Sequence, residues 1–174
     1  TRLSQLSPPA RRLAGLAATI GRDFTLDVLS RACALDEGTA LDVLDELWQR
    51  RIVREHGTGR FDFSHDKLRE VAYAEMGPVR RSVLHRRVAE ALQLSGAEEL
   101  DAVSGLIAGH YEKGGLPERA IPFYQRAAAA AQSVYANEEA IGQLERALEP
   151  LPTIVHEEER GRRELSLRIA LLPL

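Results

Sequence analysis

The chain has 174 residues, 44% hydrophobic and 28% charged, which is apolar enough for a packed core and argues against disorder. Its net charge of −3 is split unevenly: residues 1–95 hold 15 Lys+Arg against 13 Asp+Glu, and residues 96–174 hold 8 against 13, so neither half is the strongly basic surface that nucleic-acid binding needs. The single cysteine, Cys33, rules out an internal disulfide and a cysteine-based metal site and favours a reducing, cytoplasmic setting; no apolar run reaches the roughly 18 residues of a membrane span.

Aromatic residues make up only 5%, so the core must be built of Leu, Ala, Val and Ile, which suits helix-on-helix packing. The chain starts without Met, has no signal-peptide pattern and stops on Leu-Pro-Leu. It is therefore expected to belong to a longer polypeptide.

In chain order, Ser7-Pro8-Pro9 predicts a capped helix start, followed by Leu13, Leu16, Ala17 and Ile20 at helical spacing and ended by Gly21. A short helix over 26–32 follows, capped by Thr25. Asp36 opens a third, for which Leu41, Leu44, Leu47 and Trp48 are expected as the buried stripe, with Asp42, Asp45 and Glu46 on the other face. The period then changes. Residues 52–55 and 60–63 are strand candidates around His56-Gly57-Thr58-Gly59, a hairpin signal, and Phe61 and Phe63 share one face of that ribbon. Three short helices and a hairpin follow the winged-helix plan.

Ser64-His65-Asp66 opens the next helix, over about 66–75, with Leu68, Val71 and Ala72 inward. Gly77-Pro78 breaks it, and a helix over 79–94 follows with Val83, Leu84, Val88, Ala91 and Leu92 as its apolar face. Ser95-Gly96 marks the expected boundary between a winged-helix-like domain, 1–95, and helical repeats, 96–174. In the second region Ile107, Ala108, Tyr111, Ala120, Tyr124 and Ala127 keep the spacing of the tetratricopeptide signature, with Gly114-Gly115-Leu116-Pro117 as the turn. Ala140, Leu144, Ala147 and Pro152 match the later positions of a second copy, so the helix over 117–134 serves two neighbouring pairs of a solenoid. A last helix is expected over 156–172. The fold class is thus mainly α, with one small β-hairpin and antiparallel helical pairs.

Three stretches together carry a resemblance. They are Leu6-Ser7-Pro8-Pro9-Ala10-Arg11 with Ile20-Gly21-Arg22-Asp23-Phe24; Phe63-Ser64-His65-Asp66-Lys67-Leu68-Arg69-Glu70-Val71-Ala72-Tyr73 with Arg80-Arg81 and Leu84-His85-Arg86-Arg87-Val88-Ala89; and Gly109-His110-Tyr111 with 120–126 and Tyr135-Ala136-Asn137-Glu138-Glu139-Ala140. Over nearly its whole length the chain resembles the region that follows the ATPase module in bacterial signal-transduction ATPases with numerous domains, regulators often fused to a transcription-activator output or a nucleotide cyclase. The resemblance implies an upstream nucleotide-binding domain carrying ADP or ATP with Mg. It also implies a winged-helix domain that holds the protein shut in the ADP state, and repeats that sense an effector or partner. His65-Asp66 resembles the end of the methionine-histidine-aspartate motif of related apoptotic and plant immune ATPases, whose His touches the diphosphate of ADP; here Ser64 stands in place of the Met.

Two readings of His65 stand. It follows a strand and precedes a helix, where free N–H groups favour an anion; alternatively it caps that helix or packs on the hairpin. Asp66 suits the helix dipole. Arg80, Arg81, Arg86 and Arg87 form the main electropositive group, expected as a solvated face or a partner-binding surface toward the ATPase core. His85 and His110 lack ligand spacing and are expected between helices, and no metal site is predicted. Glu157, Glu158 and Glu159 fit a helix N-terminus. Neither Lys67 nor Lys113 sits in a Gly-x4-Gly-Lys-Ser/Thr pattern, so no phosphate loop and no catalytic residues are expected. The acidic third helix opposes the DNA-binding alternative, because that helix would enter the major groove. A plain protein-interaction scaffold is the remaining alternative.

Overall fold

A computed structural model describes residues 2–33, 35–94 and 97–172, with the backbone alone for Arg2, Glu37, Ala97 and Glu98. The chain divides into two compact units, Thr1–Ala91 and Leu92–Leu174. The expected boundary at Ser95-Gly96 lies outside the described residues. The protein is mainly helical with a small antiparallel sheet.

The first unit begins with a 3-10 turn, Arg2–Gln5, which brings Leu3 and Leu6 into the core. Helix α1, Pro8–Ile20, starts where expected: the Ser7 hydroxyl accepts from the Ala10 N–H at 3.2 Å, and the two prolines sit where no helical N–H is needed. Gly15 on α1 has a steric reason, since a Cβ there would lie 2.7 Å from Met76 Sδ. Helix α2, Leu26–Ala32, is capped by Thr25, and α3, Glu37–Gln49, by Asp36, whose carboxylate accepts from the Thr39 N–H at 3.0 Å.

Helix α3 turns Leu44 and Leu47 inward as expected, but its stripe is completed by Ala40 and Val43 in place of Leu41 and Trp48. Ala40, Val43, Leu44 and Leu47 are buried, whereas Leu41 is 40% and Trp48 56% exposed. Both sets keep helical spacing. The small Ala40 lets α3 approach its neighbours more closely than the bulky 41/48 edge would. Glu46 does not belong to the solvated face either, because its carboxylate accepts the Ser7 N–H at 2.8 Å and the Ser7 hydroxyl at 2.6 Å.

The expected hairpin is found as β2, Val53–Glu55, and β3, Arg60–Phe63. A third strand, Asp23–Thr25, precedes them in the chain as β1 and was not expected. The sheet order is β1-β3-β2, all antiparallel, with Phe24 opposite Phe61 and Val53 opposite Phe63. At three residues β1 is too short to show a period of its own; its pairing with β3 and the stacking of Phe24 on Phe61 (ring centroids 5.9 Å) hold it in place. Helices α4, Asp66–Ala74, and α5, Pro78–Leu92, complete this unit's run of elements. On α5, Leu84, Val88, Ala91 and Leu92 are buried as expected, but Val83 is 40% exposed, one position off the stripe.

The second unit consists of α6, Ala97–Lys113; α7, Pro117–Ser133; α8, Asn137–Leu148; a 3-10 turn, Leu151–Thr153; and α9, Glu157–Leu171. Ile107, Ala108, Tyr111, Ala120 and Tyr124 are all at most 2% exposed, as are Ala140, Leu144 and Ala147. Alanines at the crossing points allow close helix packing, and the tyrosines and Ile107 supply the bulk. Helix α6 ends in a double-bonded C-cap: Leu116 N–H reaches Tyr111 C=O and Gly115 N–H reaches Glu112 C=O, with Gly115 at φ 70°. The end of α7 repeats this pattern with Tyr135 at φ 59°, and that side chain is 90% exposed.

Candidate functional site

His65 stands between β3 and α4. Its backbone is extended (φ −148°, ψ 133°), its carbonyl accepts from the Leu68 N–H at 2.9 Å, and its side chain makes no cap to the helix. The imidazole is exposed and has no hydrogen-bond, ion-pair or ring partner among the described residues. Among the described residues, capping by the imidazole is therefore absent. Asp66 occupies the first turn of α4, as expected for the dipole, and faces Arg22 at 3.9 Å with both side chains exposed.

Beside this edge the sheet carries an ion network that was not singled out from the sequence. Arg54 on β2 grips both carboxylate oxygens of Asp62 on β3, at 2.7 and 2.9 Å. His56 Nε2 lies 3.3 Å from Asp23 on β1, and one ligand-type atom each of Asp23, His56 and Asp62 falls within 4.8 Å of the others. Three groups of this kind can hold a divalent cation. Here the guanidinium already fills the bidentate position on Asp62, and Arg22 adds further positive charge, so the cluster serves to lock three strands together. Asp62 is held below the usual carboxylate range, first by the Arg54 hydrogen bonds. Arg54, His56 and Asp62 belong to one hairpin, whose register sets Arg54 opposite Asp62, and only Asp23 is brought in from a distant segment, by the pairing of β1 with β3.

The four arginines expected as one basic group divide by role. Arg81 closes the C-terminus of α4: its Nε and Nη2 donate to the carbonyls of Tyr73 and Ala74 at 3.0 and 2.8 Å, and its guanidinium lies 4.7 Å from the Tyr73 ring centroid. Arg86 is half-buried and has partners of its own. Arg80 and Arg87 are exposed and line a cleft together with Arg12 of α1, which was not among the expected site residues. His85 is buried and hydrogen-bonded to the Tyr73 hydroxyl at 2.8 Å, and His110 is buried in the second unit; both are helix-packing residues, as expected.

In the second unit, Tyr124 donates to Glu112 at 2.6 Å, and Arg146 sits over the Tyr124 ring, 3.6 Å from the same carboxylate. Burial, and then the hydrogen bond to Glu112, push the Tyr124 hydroxyl well above the usual phenol range. A groove of about 420 Å³ runs over α7 between α6 and α8, floored by Ala127, Ala130 and Ala131. Gln143 Oε1 in its wall is buried with no hydrogen-bond partner among the described residues. The acidic start of α9 is a solvated N-terminus, with Glu157 and Glu159 paired to Arg160 and Arg163.

Among the described residues, no helix is long and apolar enough to cross a membrane. No family model and no solved structure matches the chain. An uncharacterized protein of Rhizobium meliloti (strain 1021) is 34% identical over 154 residues, covering 86% of this chain. The chain spans about 15% of that relative's length, so the similarity is to one segment of a much longer protein.

Proposed function

We propose that the chain is a non-catalytic regulatory module of a signal-transduction ATPase. In this reading the first unit is a winged-helix-like domain that reports the nucleotide state of an upstream nucleotide-binding domain. The second is the start of a helical-repeat array that takes a protein or small-molecule effector. The observation that carries the reading is His65: an exposed imidazole with no partner among the described residues, at the N-terminus of a nine-residue helix that its side chain does not cap. A ring nitrogen there can donate to a phosphate oxygen while the first-turn N–H groups of α4 favour the negative charge. The order α1-β1-α2-α3-β2-β3 with a β1-β3-β2 sheet supports the winged-helix assignment, and the buried signature positions support tetratricopeptide-like pairs.

ADP or ATP with Mg would be held mainly by the upstream domain, since no phosphate-loop motif exists in this chain. His65 would add one charge-assisted contact, worth about 1.5–3 kcal/mol, or roughly 10- to 150-fold in affinity. Asp66 is engaged with Arg22 and would orient the edge without touching the ligand. The partnerless Gln143 carbonyl oxygen in the α6–α7–α8 groove supports an effector or partner that brings a donor.

Contact with DNA through α3 is disfavoured, because its outward face carries Leu41, Asp42, Asp45 and Trp48. Two carboxylates there would repel phosphates. The test is to isolate the longest native protein containing these residues, denature it, and quantify released nucleotide for wild type and His65→Ala. ADP in the wild type and little in the variant supports the reading; equal ADP in both, or none in either, contradicts it.

A further inference from the structure

We propose that the cleft between α1, α5 and the end of α2 is a binding site for an organic anion, a carboxylate or phosphate on an apolar body, with its charge taken by Arg12, Arg80 and Arg87. The proposal is independent of the nucleotide reading of His65, which concerns a different set of residues.

Three observations meet at this place. First, the three arginines line one cleft of about 210 Å³, and Arg12 and Arg80 also line a second depression of about 560 Å³. Second, none of the three has a hydrogen bond, ion pair or ring contact with a described residue. Six other arginines, Arg54, Arg126, Arg146, Arg160, Arg163 and Arg168, face carboxylates within 4.0 Å. Third, the walls between the charges are apolar, with Leu13 and Leu16 on one side and Leu84 on the other.

These facts define the ligand's chemistry. Arg80 and Arg87 are seven residues apart on α5, about 10 Å along its axis, with Leu84 between them on the same face. Arg12 approaches from α1. Like charges beside a low-dielectric wall focus their field into the cleft and repel one another until an anion enters. A guanidinium offers paired N–H donors to carboxylate or phosphate, and the leucines offer cover to a hydrocarbon or ring. None of the residues lining the smaller cleft is a carboxylate; the second depression holds one, Glu75. Arg12, on α1, shares this cleft with Arg80 and Arg87 although it lies far from them in the sequence.

Cys33, the chain's only cysteine, lines the same cleft and gives a direct readout on the full chain. Its reaction rate is measured with a dianionic disulfide, 5,5′-dithiobis(2-nitrobenzoate), and a neutral one, 4,4′-dithiodipyridine. The ratio of the two rates cancels the ionisation of the thiol itself, leaving the attraction of the cleft for negative charge. The expected result is a ratio that falls about tenfold in the Arg80→Gln/Arg87→Gln variant and in 0.5 M salt (a screening length of about 4 Å), and is unchanged in Arg60→Gln. All three residues are exposed, and far-UV circular dichroism verifies the fold. Hexyl phosphate, hexanoate and hexanol are then compared as protectants of Cys33. Protection by the phosphate, the carboxylate or both, lost in the double variant, supports the site and identifies the head group. A ratio indifferent to the arginines, or protection by hexanol equal to that by the anions, overturns it.

Discussion

The carboxylate of Glu46 accepts both the backbone N–H and the hydroxyl of Ser7, at 2.8 and 2.6 Å, tying the third helix to the cap of the first across 39 residues. Ser7 thus does two jobs: its hydroxyl oxygen accepts from Ala10 while its proton goes to Glu46. These bonds hold the Glu46 carboxyl below its ordinary range, the side-chain bond first. Because the folded value is depressed, the stabilisation is present above the unfolded value of about 4.3 and is lost as pH falls. Glu46→Gln is expected to cost about 1–2 kcal/mol at pH 7, by urea denaturation. The gap between variant and wild type should close as the pH is lowered through 4.

Arg54→Ala leaves the Asp62 carboxylate, 9% exposed, without its guanidinium. An orphaned, largely buried charge destabilises more than removal of both partners does. The melting temperature should therefore fall further in Arg54→Ala than in Arg54→Ala/Asp62→Asn. If the double variant melts lower than the single one, the ion pair has another role than closing the sheet.

Tyr124 should be the last tyrosine to ionise. Its hydroxyl is raised by burial and by Glu112, so the folded state keeps the proton after the unfolded chain has lost it. The stabilisation is complete below about pH 10 and declines above it. Ultraviolet titration of Tyr124→Phe should show one fewer late-titrating phenol, and the variant should lose about 1 kcal/mol at neutral pH.

Tyr135 holds a left-handed backbone (φ 59°) at a helix end where α6 uses Gly115. That conformation costs an L-residue roughly 1–2 kcal/mol, and glycine gives part of it back through a more flexible unfolded chain. With its side chain 90% exposed, little packing is lost. Tyr135→Gly should raise stability by up to about 1 kcal/mol, and Gly115→Ala should lower it by a similar amount; thermal melts decide both.

Local signals carried the helices well. Ser7, Thr25 and Asp36 each accept the expected first-turn N–H, and the Ala/Tyr positions of the second unit are buried at the expected spacing except Ala127, which is half-buried. What failed was non-local. Strand β1 exists because β3 is beside it, and on α3 the small Ala40 is buried where the bulky Leu41 and Trp48 stay exposed. Site legibility followed the same division. His65 could be placed between a strand and a helix from the sequence, but its lack of partners could not. Arg81 and Arg80 are neighbours in sequence with different tasks, one closing α4 and one lining a cleft, and nothing in their spacing separates them.

The central claim is that His65 meets the phosphate of a bound nucleotide. Its most direct test is the dissociation rate of a fluorescent ADP analogue from the longest native protein containing this chain, by stopped flow, for wild type and His65→Ala. Release accelerated by about 10- to 150-fold in the variant, with the melting temperature of the nucleotide-free protein unchanged, is the predicted result. Identical release rates would contradict the account and leave His65 an exposed residue without a role in nucleotide sensing.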